Sequence, residues 1–243
     1  MNYTLDEGAA GGARFGLILL SNDETLEHET RAVIARRDVN MLHARIPSIA
    51  EVTPETLVTM ADEMTATASL LPPDLRVVGY ACTSGATVIG PGEVSRLVQV
   101  AHPETPVTNP MCAVIAALRA VGAAKIGLVS PYVPSVTGPM CAHLADHGID
   151  VLHQVSFGQS DDQKVARISE NSTRAAMLEA GRAEGVEAVF ASCTNLRTFG
   201  IIEEVEETLG KPVISSNQAL IWHMLRLAGL DAKGWGPGRL NQG

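Results

Sequence analysis

Cys82 and Cys193 stand in near-copies of one short motif, Val-Gly-Tyr-Ala-Cys-Thr-Ser over 78–84 and Phe-Ala-Ser-Cys-Thr-Asn over 190–195. Each follows a short apolar run of strand type and precedes Thr and a small polar residue. A free cysteine is most often a small buried hydrophobe. Two at matching points of a repeat point instead to a pair of thiols facing one cleft, where one sulfur gives and the other takes. Such a pair suits chemistry at a carbon acid or an activated double bond. Thr83, Ser84, Thr194 and Asn195 offer hydroxyl, amide and backbone donors for a carboxylate, and backbone amides at a helix start can lower a thiol pKa.

The elements that must position these thiols are short β-type runs alternating with stretches at helical period. Strands are expected at Arg14–Leu20, Asn40–Arg45, Val77–Ala81, Val107, Lys125–Val129, Val151–Val155, Ala188–Ser192 and Val213–Ser215. Helices are expected from near Asp23, over Pro54–Leu70, Met111–Val121 and Gln218–Leu227. This alternation implies βαβ units and a mostly parallel sheet flanked by helices. The chain is also repeated: 111 residues separate Cys82 from Cys193 and Arg14 from Lys125, and 106 separate Pro106 from Pro212. The fold expected is therefore α/β, two pseudo-symmetric parallel-sheet domains of Rossmann-like or flavodoxin-like type with the active site in the cleft between them. If the helix after each Pro-Val strand crosses to the other half, residues 1–110 plus 217–243 form the first domain and 111–216 the second.

Active sites of open parallel sheets gather at strand C-terminal ends. Asn22, in the Ser21–Thr25 loop after the first strand, is thus a candidate ligand contact, with a helix cap as the alternative. Tyr132 occupies the corresponding loop of the second half, between Pro131 and Pro134. Asn171, in Arg-Ile-Ser-Glu-Asn-Ser (167–172), is a weaker polar candidate that a helix cap explains equally well. Cys112 and Cys141 fall in predicted helices with nothing repeated around them and read as buried structural thiols. His143 and His147 have a chelating i, i+4 spacing but lack an HExxH-type partner, so no metal site is expected.

Composition narrows the rest. The 243 residues are 46% hydrophobic, 19% charged and only 4% aromatic, with a net charge of −9, so the core rests on aliphatic residues and no basic stripe is present for nucleic acid. No apolar run approaches the roughly 20 residues that span a bilayer. The polar N-terminal segment lacks a signal-peptide pattern, and four cysteines without framework spacing fit free thiols, so a cytoplasmic protein is expected. No Walker or GxGxxG pattern supports nucleotide binding.

On the two Cys-Thr motifs, Ser21-Asn22, Ser130-Pro-Tyr132 and Val-Ala-Arg-Ile (165–168), the chain resembles the aspartate/glutamate racemase superfamily from Arg14 to about Leu230. It is nearest the branch of maleate cis-trans isomerases and arylmalonate decarboxylases. The resemblance implies Cys82 and Cys193 as catalytic pair, and Asn22, Thr83, Ser84, Tyr132, Thr194 and Asn171 around the substrate carboxylates. It further implies that no metal or organic cofactor is needed and that the chain forms a homo-oligomer, a dimer or tetramer. Decarboxylases of this branch carry glycine where Cys82 stands, so Cys82 favours isomerisation or racemisation. The string Ser-Asn-Asp-Glu-Thr-Leu-Glu (21–27) departs from the maleate isomerases. It is closer to racemase-like proteins of ectoine breakdown, and an acid there could receive an ammonium group that maleate lacks. The expected function is a cofactor-independent isomerase of a small carboxylate, maleate-isomerase-like. The alternatives are an amino-acid racemase, an arylmalonate-type decarboxylase using Cys193 alone, and a binding protein that keeps the fold without the chemistry.

Overall fold

In the computed structural model, which describes residues 1–6, 8, 12–35 and 37–242, strands and helices alternate along the chain. The first half runs β1 (Ala13–Leu20), α1 (Leu26–Ile34), β2 (Val39–Ile46), α2 (Pro54–Val58), α3 (Met60–Ala68), β3 (Val77–Ala81), α4 (Thr83–Ile89), α5 (Pro91–Ala101) and β4 (Val107–Thr108). It is followed by α6 (Pro110–Ala120), β5 (Lys125–Tyr132), α7 (Pro134–Asp146), β6 (Asp150–Gln159), α8 (Asp162–Val165), α9 (Glu170–Arg182), β7 (Ala188–Ala191), α10 (Ile202–Leu209), β8 (Val213–Ser215) and α11 (Ser216–Leu227).

The strands form two four-stranded sheets with the same order, β2-β1-β3-β4 and β6-β5-β7-β8, and all pairings within them are parallel. The α/β architecture and the repeat are therefore as the sequence implies, strand for strand. The registers match too: Leu19 lies opposite Ala81 and Val129 opposite Ala191, so each motif cysteine leaves its sheet two residues or fewer beyond a paired strand end. Central strands β3 and β7 are buried throughout and are made of Val, Ala, Gly and aromatic residues with no charged side chain, as suits strands covered on both faces. Edge strand β6 instead alternates exposed and half-buried residues along its length.

The helices after β4 and β8 tie the halves together. Helix α11 packs on β3 of the first sheet and on α6, while α6 reaches β8 of the second sheet. Gly79 of β3 makes room for this crossing, since a Cβ there would stand 2.7 Å from Met224 Sδ. One continuous apolar core runs from Phe15 and Tyr80 in the first half to Phe190 and Leu220, with a smaller cluster between the second sheet, α9 and α10.

Two helix boundaries differ from those expected. The stretch expected as one helix from Pro54 is divided at Thr59, where the Thr56 and Thr59 hydroxyls bond back to the carbonyls of Glu51, Thr53 and Thr56 and compete with the helical ladder. The first helix begins at Leu26 rather than near Asp23, because Asp23 Oδ1 takes the N–H groups of Thr25 and Leu26.

Candidate active site

Strand β3 delivers Cys82 as the N-cap residue of α4, with extended backbone, and its Sγ accepts a hydrogen bond from Gly85 N–H at 3.2 Å. Only glycine fits at 85: a Cβ would lie 2.5 Å from the Tyr80 hydroxyl and 3.0 Å from the sulfur itself. Strand β7 delivers Cys193, whose φ of +129° is a backbone region that non-glycine residues rarely adopt. Strain of this kind persists only where surrounding contacts hold it. Here Cys193 N–H donates to Ser216 Oγ at 3.1 Å, and its Sγ accepts from Asn195 N–H at 3.3 Å.

The two motifs also hold each other. Ser216 Oγ, which takes the Cys193 N–H, lies 2.8 Å from Thr83 Oγ1, and Thr194 Oγ1 donates to Ala81 O at 3.3 Å. Both thiols are buried and line one small chamber with Leu20, Thr83, Ser84, Tyr132, Asp162 and Thr194. The chamber holds about 220 Å³ of empty space, of which only about 10 Å³ admits the centre of a water molecule, room for roughly one water. A carboxylate substrate therefore enters only when the walls part. Asp162 of this lining is tied down where the chain near Ala50 pairs with that near Ser160, through Val52 N–H to Ser160 O at 2.7 Å and Asp162 N–H to Ala50 O at 2.8 Å. A larger cavity of about 580 Å³, flanked by His28, Glu29, Arg197 and Phe199, contains neither thiol. The small chamber is where nucleophiles and donors converge, so it is the reaction site we consider.

Asp162 is the group that sequence reasoning missed. It is 3% exposed at the start of α8, and its Oδ1 receives the Tyr132 hydroxyl at 2.7 Å while Asn195 Nδ2 donates to its Oδ2 at 3.2 Å. Tyr132 Oη also lies 3.3 Å from Cys193 Sγ. Because the single phenolic proton goes to Asp162, the Cys193 S–H is placed to donate to the phenolic oxygen, which keeps Cys193 a thiol. Burial, followed by the charge of Asp162, pushes its pKa well above the ordinary thiol value despite the Asn195 N–H. Cys82 is pushed up to about 12, again by burial first, against the Gly85 N–H and the Tyr80 hydroxyl beside it.

The other expected residues divide into three groups. Thr83, Ser84, Tyr132 and Thr194 line the chamber, and the buried Ser84 hydroxyl has no hydrogen-bond partner within the protein. Asn195 and Asn22 stand behind its wall. The Asn195 amide bonds Asp162, Asn22 O and Glu24 N–H, and the Asn22 side chain bonds Ser48 O at 3.2 Å. Asn171 is not brought to the chamber, for it lies exposed on α9 with its Oδ1 accepting from Arg174. Asp23, buried behind the Thr194 side, has a pKa raised to about 6 because burial outweighs the Leu26 N–H, the Thr194 hydroxyl and the Thr25 N–H, and its Oδ2 has no hydrogen-bond partner of good geometry. Cys112 and Cys141 are half-buried rather than fully buried, and lie in α6 and α7. His143 and His147 lie with ring centroids 4.5 Å apart and ring planes tilted by 44°. Among the described residues, no group of three or more His, Cys, Asp or Glu is arranged to hold a metal ion.

Several known proteins are similar to this chain. Maleate isomerase from Geobacillus stearothermophilus is 27% identical over 236 residues, covering 88% of this chain and 90% of the relative. Arylmalonate decarboxylase from Bordetella bronchiseptica is 34% identical over 137 residues, covering 56% of this chain and 57% of that one. Among solved structures, the maleate isomerase Iso of Pseudomonas putida S16 superposes with a TM-score of 0.84 at 25% identity, covering 95% of this chain and 98% of that one. The family model described as arylmalonate decarboxylase matches residues 41–241, and the chain belongs to that family.

Proposed function

We propose that the chain is a cofactor-independent isomerase that works on a small carboxylate through Cys82 and Cys193. The observation that carries this reading is the pair itself: two buried thiols from equivalent strand ends line one narrow chamber with hydroxyl-bearing side chains. Similarity to maleate isomerases over most of the chain supports the isomerase class. In a maleate-type reaction the Cys82 thiolate adds to one carbon of the C=C bond, and the electron pair passes to the adjacent carboxylate as an enolate. The new single bond rotates, and the electron pair returns to expel the thiolate and restore the alkene. Covalent addition thus divides a hard bond rotation into two easier steps. Cys193, held as a thiol by Tyr132, protonates and reclaims the proton at the enolate carbon. The unpartnered Ser84 hydroxyl is placed to donate to the carboxylate as negative charge builds on it, with Thr83 and Thr194 beside it in the lining.

Proton NMR in D₂O tests the reading with maleate, aspartate, glutamate and diaminobutyrate as substrates. Fumarate formation, α-hydrogen exchange or racemisation is expected from the native enzyme, and none from Cys193→Ser. Carbon dioxide release from a malonate-type substrate, retained in Cys82→Gly, would establish the decarboxylase instead. Four unpaired cysteines support a reducing compartment. No helix among the described residues is long and apolar enough to cross a membrane. Assembly as a dimer or tetramer belongs to the same reading, and light scattering on the purified protein measures it.

A further inference from the structure

The chamber that holds both thiols is lined by one carboxylate and no lysine, arginine or histidine. A substrate with two carboxylates would bring two negative charges into a buried space beside a third. Buried charge is costly unless it is paired. Asp162 is positioned as one half of such a pair. Each oxygen already accepts one hydrogen bond, Oδ1 from Tyr132 and Oδ2 from Asn195, and a carboxylate accepts about four in all. Asp162 shares the lining with both thiols, and its charge acts on each. In the same lining, Ser84 is 2% exposed with its hydroxyl without a partner, and Thr83 stands next to it. The lining thus offers a free hydroxyl donor for a carboxylate and an anionic acceptor for a cation.

We propose that Asp162 makes this chamber selective for a small zwitterion, a substrate carrying one carboxylate and one ammonium group, over the dianion of a dicarboxylate such as maleate. The proposal deepens the isomerase reading and rests on its assignment of the chamber as the reaction site. The same contact would assist the chemistry. Asp162 disfavours ionisation of both thiols, and an ammonium group beside it offsets that charge and eases formation of the thiolate. A dianion would act in the opposite sense.

The test uses two unreactive probes of like frame, succinate with a carboxylate at each end and β-alanine with one carboxylate replaced by ammonium. Their binding is measured by titration calorimetry on the native enzyme and on Asp162→Asn, which keeps an acceptor oxygen for Tyr132 and loses the charge. Native enzyme is expected to bind β-alanine at least about tenfold more tightly than succinate, the scale of one charge-assisted hydrogen bond. Asp162→Asn is expected to shift that ratio toward succinate by about tenfold or more. Equal or tighter binding of succinate by the native enzyme, no saturable binding of β-alanine, or an unchanged ratio in the variant overturns the proposal. The native comparison needs no variant to fold. Because neither probe reacts, the result is separate from the turnover experiments that test the isomerase reading: a chamber selective for β-alanine without turnover would remove the reaction and leave the selectivity.

Discussion

At the scale of single residues, the two thiols are alike in sequence and unlike in structure. Cys82 receives a backbone N–H at the start of α4, whereas Cys193 sits at positive φ against a tyrosine whose proton is committed to Asp162. Replacing either with serine should lower turnover by several orders of magnitude, since each serves a different step, and NMR assays of product formation measure this. Tyr132→Phe removes the group between Cys193 and Asp162 and leaves the ring in place. A loss of roughly 10- to 100-fold in kcat is expected, on the scale of general acid–base assistance, with a far smaller change in KM. An unaltered kcat would show that Cys193 needs no partner to hold its proton. The cysteines, Thr83, Ser84, Tyr132 and Thr194 were legible from the sequence because a duplicated motif or the end of a duplicated strand marked them. Asp162 was not, because nothing in the first half repeats it and it reads as the second of two acids opening a short helix. Its place in the chamber depends on the pairing of residues near Ala50 with those near Ser160, a contact without periodicity.

At the scale of elements, pseudo-symmetry fixes the backbone more tightly than the packing around it. Gly16 of β1 and Gly127 of β5 are equivalent in the repeat, and both lie beneath covering structure. A Cβ at Gly16 would meet the ends of two flexible side chains, Leu75 Cδ1 at 2.8 Å and Leu71 Cδ1 at 2.9 Å. At Gly127 it would meet the Ala180 carbonyl oxygen at 2.5 Å and the carbonyl carbon at 2.8 Å, which are backbone atoms of α9. Leucine tips can rotate aside and a helix backbone cannot, so the same substitution should have unequal costs. Gly127→Ala is expected to destabilise by about 1–3 kcal/mol or more as an overpacked core position, and Gly16→Ala by less than about 1.5 kcal/mol. Urea unfolding of the two variants decides the matter, and equal losses would contradict the distinction. The strands themselves were readable because apolar runs, turn residues and the repeat agree. The division at Thr59 was not, since hydroxyl-to-carbonyl bonds leave no trace in hydrophobic periodicity.

At the scale of the whole molecule, the halves are joined by a buried acid as well as by α11. Glu29 on α1 accepts the N–H groups of Thr198 at 2.9 Å and Phe199 at 3.0 Å, both from the second half, and the Asn217 amide at 2.6 Å. Burial raises its pKa to about 7 even against these three donors, with the nearby Asp23 charge adding to the rise. A folded-state pKa above the unfolded value means that the folded chain holds the proton more tightly. Its stabilising contribution is therefore complete below about pH 4.5 and is lost as pH rises through about 7. The shift corresponds to at most about 3 kcal/mol between those limits. Asp23 adds a like trend at lower pH, its carboxyl titrating at about 6. Denaturant unfolding of the native chain and of Glu29→Gln at pH 5 and pH 8 isolates the Glu29 share. The variant keeps an oxygen toward Thr198 and Phe199 but cannot titrate, so its stability should change less between the two pH values than that of the native chain, whatever its absolute level. If the difference between pH 5 and pH 8 is the same in both proteins, Glu29 is ionised in the folded state throughout that range, and the joint between the halves is not sensitive to pH.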